Sequence, residues 1–218
     1  MTDAQAQPLN IDGADLAALV AAKLCHDFIS PAGAIVSGLD LLDDPSAADM
    51  RDDALSLIRQ SATKLTALVQ FARVAFGAAT TAERFTGETL KELVAGLTEG
   101  GRASLAWVLE ETDFSKPAAR TLVNLAYLTH AALPTGGEAT VTARREGGDL
   151  VLIGEAVGAR ARLKPEAASG LRGERLSEGL QGQWIQPYWL WLTVRNAGGV
   201  LTLDVAEGCV VLTARLPR

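Results

Sequence analysis

Two apolar stripes, parted by Asp43-Asp44-Pro45, constrain what this chain can fold into. The first runs Leu16, Val20, Leu24, Phe28, Ile35, Leu39 and Leu42, the three-to-four spacing of one helix face. The second runs Met50, Ala54, Leu57, Ile58, Ser61, Leu65, Leu68, Ala72 and Phe76. The aspartate pair and proline end the first helix, and Ser46 is placed to cap the second. Pro31 interrupts the first stripe, where a kink near the preceding turn is expected. Each arm is about 27–30 residues, hence roughly 40–45 Å at ~1.5 Å per residue. Two such helices joined by a short turn cannot bury both stripes against each other. No second long hairpin follows, so the pattern predicts a homodimer whose two hairpins form a four-helix bundle.

Beyond a break near Gly77–Arg84 the chain changes character. Strand-like runs appear at Ser104–Glu110, Ala139–Arg145, Asp149–Glu155, Val200–Val205 and Cys209–Leu216, punctuated by Gly136-Gly137, Gly147-Gly148 and Gly198-Gly199. Helical stretches lie near Leu90–Leu97, Pro117–Ala132 and Pro187–Asn196, with Ser115 a cap before Pro117. The expected fold class is α+β: a helical-hairpin domain over residues 1–80, then an α/β sandwich over 81–218, a mixed sheet with helices on one face.

Composition excludes several functions. With 20 basic and 26 acidic residues and no basic run, a general phosphate-backbone binder is not expected, so no nucleic-acid partner is predicted. Cys25 and Cys209 match no zinc spacing, and two histidines add little to a metal cluster. The sparse cysteines fit a reduced, cytoplasmic compartment. No uninterrupted apolar stretch reaches the ~20 residues of a membrane span, and Met1–Asn10 lacks the basic start and apolar core of a signal peptide. Catalysis must therefore centre on His26, His130 or a carboxylate. His130 sits at the end of a helical stretch whose apolar stripe is Leu122, Leu125 and Leu128, where complementing the helix dipole is its expected role.

His26 stands elsewhere. At 100° per residue it lies about 200° from Leu24, on the side facing solvent, with Ser30, Gly33 and Ser37 within about 40° of it. That strip is small and weakly polar, so another protein could approach the ring closely. The segment Lys23-Leu24-Cys25-His26-Asp27-Phe28-Ile29-Ser30-Pro31, with an acidic residue after the histidine and a proline five positions on, resembles the H-box of two-component sensor kinases. The longer stretches KLCHDFISPAGAIVSGLDLL (23–42) and QFARVAFGAA (70–79) resemble the ChpT-type histidine phosphotransferases more closely.

The resemblance implies that His26 is phosphorylated. It also implies that partner receiver domains supply the aspartyl phosphate, a Mg²⁺ ion and a lysine. No cofactor of the chain's own is expected. A neutral imidazole is a good nucleophile and is largely available at cytosolic pH, and phosphoryl transfer needs little beyond in-line positioning and charge stabilisation. Asp27 is the expected assistant, accepting the Nδ1 proton and leaving Nε2 to attack. Ser30 stands where sensor kinases commonly carry Thr or Asn, which assists dephosphorylation of the regulator. Ser30, Gly33 and Ser37 are the expected receiver-docking strip.

The second half resembles a degenerate Bergerat-type ATPase domain. In TLVNLAYLTHAALPTGG (121–137), Asn124 matches the first asparagine of the N-box, but Leu128 replaces the second. LVLIGEAVGARARL (150–163) falls where the Asp-x-Gly-x-Gly adenine motif belongs; either Glu155 or Ala156 could align with its Asp. The glycines around Arg172–Gln183 do not spell Gly-x-Gly-x-Gly, whereas NAGGVLTLDVAEGCVVLTARLP (196–217) keeps the closing hairpin. Trp184, Trp189 and Trp191 are expected to fill a former ligand pocket. The resulting expectation is a phosphorelay intermediate passing phosphate between the receivers of a hybrid histidine kinase and of response regulators, without ATP. A receiver-docking pseudokinase scaffold and an ATP-dependent sensor kinase are the alternatives.

Overall fold

A computed structural model describes residues 11–77, 81–174 and 182–218. The N-terminal stretch Met1–Asn10 and most of the glycine-bearing loop at Arg172–Gln183 lie outside them, as does part of the break at Gly77–Arg84. Asp12 caps helix α1 (Gly13–Asp43), its carboxylate accepting from the backbone of Ala14. The helix continues unbroken through Pro31, which is buried. Asp44 ends it and opens a short 3₁₀ turn (Pro45–Met50), taking hydrogen bonds from both the backbone and hydroxyl of Ser46 at 2.8 and 2.7 Å. The capping roles are thus the reverse of those expected: aspartate accepts and Ser46 donates. Helix α2 (Arg51–Ala75) follows without a side-chain cap.

The close approach of α1 and α2 is set at Gly38, which is buried. A Cβ there would meet Ile58 Cγ1 at 2.6 Å and the Ala54 carbonyl at 3.2 Å. Only Pro31 and Gly38 of α1 are buried, while Ile29, Val36 and Leu39 stay exposed. By length and composition alone α1 would be long and apolar enough to cross a membrane, a test that helices of soluble proteins also pass. In this structure it packs along α2 and α6.

After β1 (Arg84–Thr86) come α3 (Gly87–Thr98), β2 (Ala103–Leu109), β3 (Asp113–Ser115) and α4 (Lys116–Ala131). Strands β4 (Gly137–Glu146) and β5 (Asp149–Val157), helices α5 (Pro165–Leu171) and α6 (Gly182–Asn196), and strands β6 (Val200–Ala206) and β7 (Cys209–Leu216) complete the chain. The main sheet has the order β2-β4-β5-β7-β6; β2 and β4 are parallel and the other pairs antiparallel. Gly147 and Gly148, with φ of 60° and 97°, close the β4–β5 hairpin, a two-residue turn that requires positive φ at both positions. β1 and β3 form a separate two-stranded ribbon.

Along β4, Ala139, Val141 and Ala143 are buried in alternation and face α4 and its neighbours. The fold class is therefore α+β as expected: a helical hairpin and a helix-covered mixed sheet. Helix α4 is the central beam, with Leu122, Val123, Leu125 and Ala126 fully buried. Ser115 stands at its N-cap but makes no capping bond through its side chain. His130, near its C-terminus, bonds through Nε2 to the carbonyl of Ala103 at 3.2 Å, a structural tie to β2.

Two features were read differently from sequence. Pro187 lies inside α6 rather than at its start. The three tryptophans do more than fill space. Trp184 stacks on Tyr188 with centroids 4.5 Å apart, and their cluster packs on Leu16, Leu19 and Val20 of α1. Trp189 donates its indole N–H to the Ala75 carbonyl at 2.8 Å, and Trp191 packs beside Tyr188. Together they dock the hairpin onto α6.

Candidate functional site

Helix α1 presents Lys23, His26 and Asp27 within a little over one turn. The His26 side chain is 85 % exposed, whereas Asp27 is 25 % and Lys23 12 %. Asp27 divides its two oxygens: Oδ2 pairs with the Lys23 ammonium, and Oδ1 stands 3.2 Å from Nδ1 of His26. With Nδ1 beside a carboxylate, the other ring nitrogen, Nε2, is the one left for an incoming group.

The second half reaches this site. Lys23, His26 and Asp27 share a cavity of about 440 Å³ with Tyr127 of α4, Arg162 and Lys164 of the β5–α5 connection, and Gln186 of α6. Burial holds the Tyr127 phenol above its ordinary range, and the nearby Asp27 carboxylate pushes it further the same way. The histidine thus stands at the rim of a cleft whose walls carry three cationic side chains. None of Tyr127, Arg162 and Lys164 was singled out from sequence, since a contact between α1 and elements over one hundred residues away leaves no local pattern. Lys23 stood in the motif without a role.

Ser30, Gly33 and Ser37 are all exposed on the His26 side of α1, as the helical arithmetic expected. A Cβ on Gly33 would meet nothing within 4 Å. The strip is more apolar than read: Ile29, 69 % exposed, and Val36 border it.

The N-box asparagine is committed elsewhere. Asn124 is fully buried; its amide donates to the carbonyls of Ala75 and Arg120, both at 2.9 Å, and its oxygen accepts from Gln186 at 3.2 Å. Among the described residues, no three of His, Cys, Asp and Glu converge as a metal-holding group.

This architecture, a helical hairpin joined to a helix-covered mixed sheet, is shared with a bacterial phosphotransferase. Residues 87–208 match the family model of the histidine phosphotransferase C-terminal domain, and the chain belongs to that family. It is 29 % identical over 209 residues to the protein phosphotransferase ChpT of Brucella abortus (strain 2308), covering 95 % of this chain and 98 % of that protein. A bacterial phosphotransferase solved at 1.7 Å superposes with a TM-score of 0.84 at 27 % identity, over 95 % of this chain and 98 % of that one. Full-length ShkA in complex with AMPPNP shares the fold at a TM-score of 0.50 and 19 % identity, over 95 % of this chain and 46 % of that one. The ChpT-type likeness read from residues 23–42 and 70–79 is therefore the family found.

Proposed function

We propose that this chain is a phosphorelay intermediate. His26 Nε2 attacks the aspartyl phosphate of a receiver domain in a hybrid histidine kinase. The O–P bond breaks, an N–P bond forms, and the donor aspartate leaves as a carboxylate. The Nδ1 proton stays with the ring, where Asp27 offsets the cationic charge that develops. A second receiver, in a response regulator, then takes the phosphoryl group onto its own aspartate. The observation that carries this reading is the exposed His26 ring with Nδ1 held beside Asp27.

The receivers bring Mg²⁺ and a lysine, so the chain needs no metal of its own. Ser30, Gly33 and Ser37 receive them, helped by the exposed Ile29. Relay without ATP is supported by Asn124, whose side chain is buried and hydrogen-bonded inside the protein. A homodimer is supported by Leu39, Met50, Leu57 and Val69, apolar side chains left exposed on one hairpin, and a cytoplasmic setting by the sparse cysteines alone. Residues 1–80 act as the dimerisation and phosphotransfer domain, and 81–218 as the ATPase-like domain beside it.

The test uses a receiver carrying labelled aspartyl phosphate. Wild type acquires acid-labile label and passes it on, and His26→Ala acquires none while sedimenting as the same dimer. Undiminished transfer by His26→Ala would sink the proposal. Unlabelled wild type would favour the docking scaffold instead. Binding of ATP with Mg²⁺ in calorimetry would favour the kinase.

A further inference from the structure

The ion pair between Lys23 and Asp27 is poorly explained as a helix stabiliser. Lysine precedes the acid by four residues, the weaker of the two orientations, in which such pairs contribute only a few tenths of a kcal/mol. A surface pair of ordinary kind would also be solvated, yet the Lys23 side chain is only 12 % exposed and lines the same cavity as Tyr127. Burying an ammonium carries a desolvation cost, which a binding partner must offset. That partner is the residue beside the histidine.

The arrangement constrains Asp27 strongly. An aspartate has two side-chain torsions, and its carboxylate can face along the helix, across it or to solvent. Here one oxygen is claimed by Lys23, which leaves the other directed at Nδ1 of His26. The imidazole of histidine has two tautomers, and the hydrogen bond made by one nitrogen decides which nitrogen carries the proton. A carboxylate fixed at Nδ1 selects the Nδ1–H form and leaves the Nε2 lone pair for attack.

We infer that Lys23 is a positioning residue for transfer at His26, acting by locking Asp27 against Nδ1. The inference rests on His26 being the phosphoacceptor and adds to that reading a residue that never touches the phosphoryl group. Without Lys23, the Asp27 carboxylate lies beside the Tyr127 ring with no bonded cation and turns toward water. His26 then populates both tautomers, and the fraction with a nucleophilic Nε2 falls.

The experiment combines ¹⁵N-histidine NMR on the full chain with transfer kinetics from a phosphorylated receiver. The chain has two histidines, so the resonances lost in His26→Ala assign the ring. Wild type and Lys23→Arg are expected to show the Nδ1–H form. Lys23→Met, which keeps the apolar stem, is expected to shift toward Nε2–H and to slow the transfer step on the order of tenfold at unchanged KM. Lys23→Gln serves as a second uncharged variant.

An unshifted tautomer in both uncharged variants overturns the inference. So does a rise in KM alone, which would make Lys23 a docking contact, or a Lys23→Arg variant as slow as Lys23→Met. If His26→Ala itself transfers phosphate, the phosphoacceptor assignment fails instead, and the two failures are told apart.

Discussion

The side-chain oxygen of Asn124 accepts a hydrogen bond from Gln186 at 3.2 Å, joining α4 to α6 in the buried interior. Because the Asn124 amide also donates to Ala75 and Arg120, every polar atom of the residue is used. This has a direct consequence for stability. Asn124→Ala leaves the buried Gln186 amide without its acceptor and the Ala75 carbonyl with the Trp189 indole alone, at an expected cost of about 1–3 kcal/mol. The urea midpoint should drop accordingly, while transfer measured well below the midpoint stays at the wild-type rate. Lost transfer in a fully folded variant would show that the residue serves the chemistry.

Two glycines of α1 predict opposite outcomes. Gly38 is in contact distance of Ile58 and the Ala54 backbone, so Gly38→Val forces the helices apart, and overpacking of this kind costs about 1–3 kcal/mol. Gly33 has open space around it, so Gly33→Ala should stabilise by up to about 1 kcal/mol through helix propensity. Gly33→Arg should melt like wild type yet transfer more slowly if the proposed docking strip is used, because its side chain would occupy it. Thermal melts and transfer rates on the same samples separate these effects.

Tyr127 predicts an alkaline limb. Its phenol is raised in the folded state by burial and by Asp27. A raised value contributes stability that is complete below the ordinary tyrosine pKa near 10 and is lost as pH rises through the folded value. Denaturation between pH 8 and 11 should show that loss, and Tyr127→Phe should flatten it in part. Tyr188, raised chiefly by burial, contributes in the same direction.

Glu146 predicts an acid limb. Hydrogen bonds from Arg144 and Arg215 hold its carboxyl below the usual range. A lowered carboxylate contributes stability present above its unfolded pKa and lost as pH falls through the folded one. Glu146→Gln should therefore narrow the stability difference between pH 7 and pH 3, as read by urea titration. Salt should shrink the effect, since the network is on the surface.

What could be read from sequence follows from the range of the interactions involved. The five strands of the main sheet, and α3 and α4, were legible because periodicity and glycine turns act locally. The strands Arg84–Thr86 and Asp113–Ser115 were missed, since three residues are too few to show a period. Helix α5 was missed because its seven residues directly follow the stretch read as an adenine motif. Of the residues lining the cavity, His26 and Asp27 were singled out from sequence because the stretch resembling the H-box is continuous on one helix. The cavity wall was not, because Tyr127, Arg162 and Gln186 reach His26 only through tertiary packing.

The carbonyl of Ala75 ends α2 and accepts from both the Asn124 amide and the Trp189 indole. Those two donors come from different helices, so the last turn of the hairpin is bolted to the second half from two directions. A joint held in this way resists swinging, which favours a cleft beside His26 that keeps its walls in place. Under the proposed relay, a docking receiver would meet a finished berth, with little ordering left to do on arrival. Encounter frequency, more than any opening or closing of the protein itself, would set the pace at which successive partners are served.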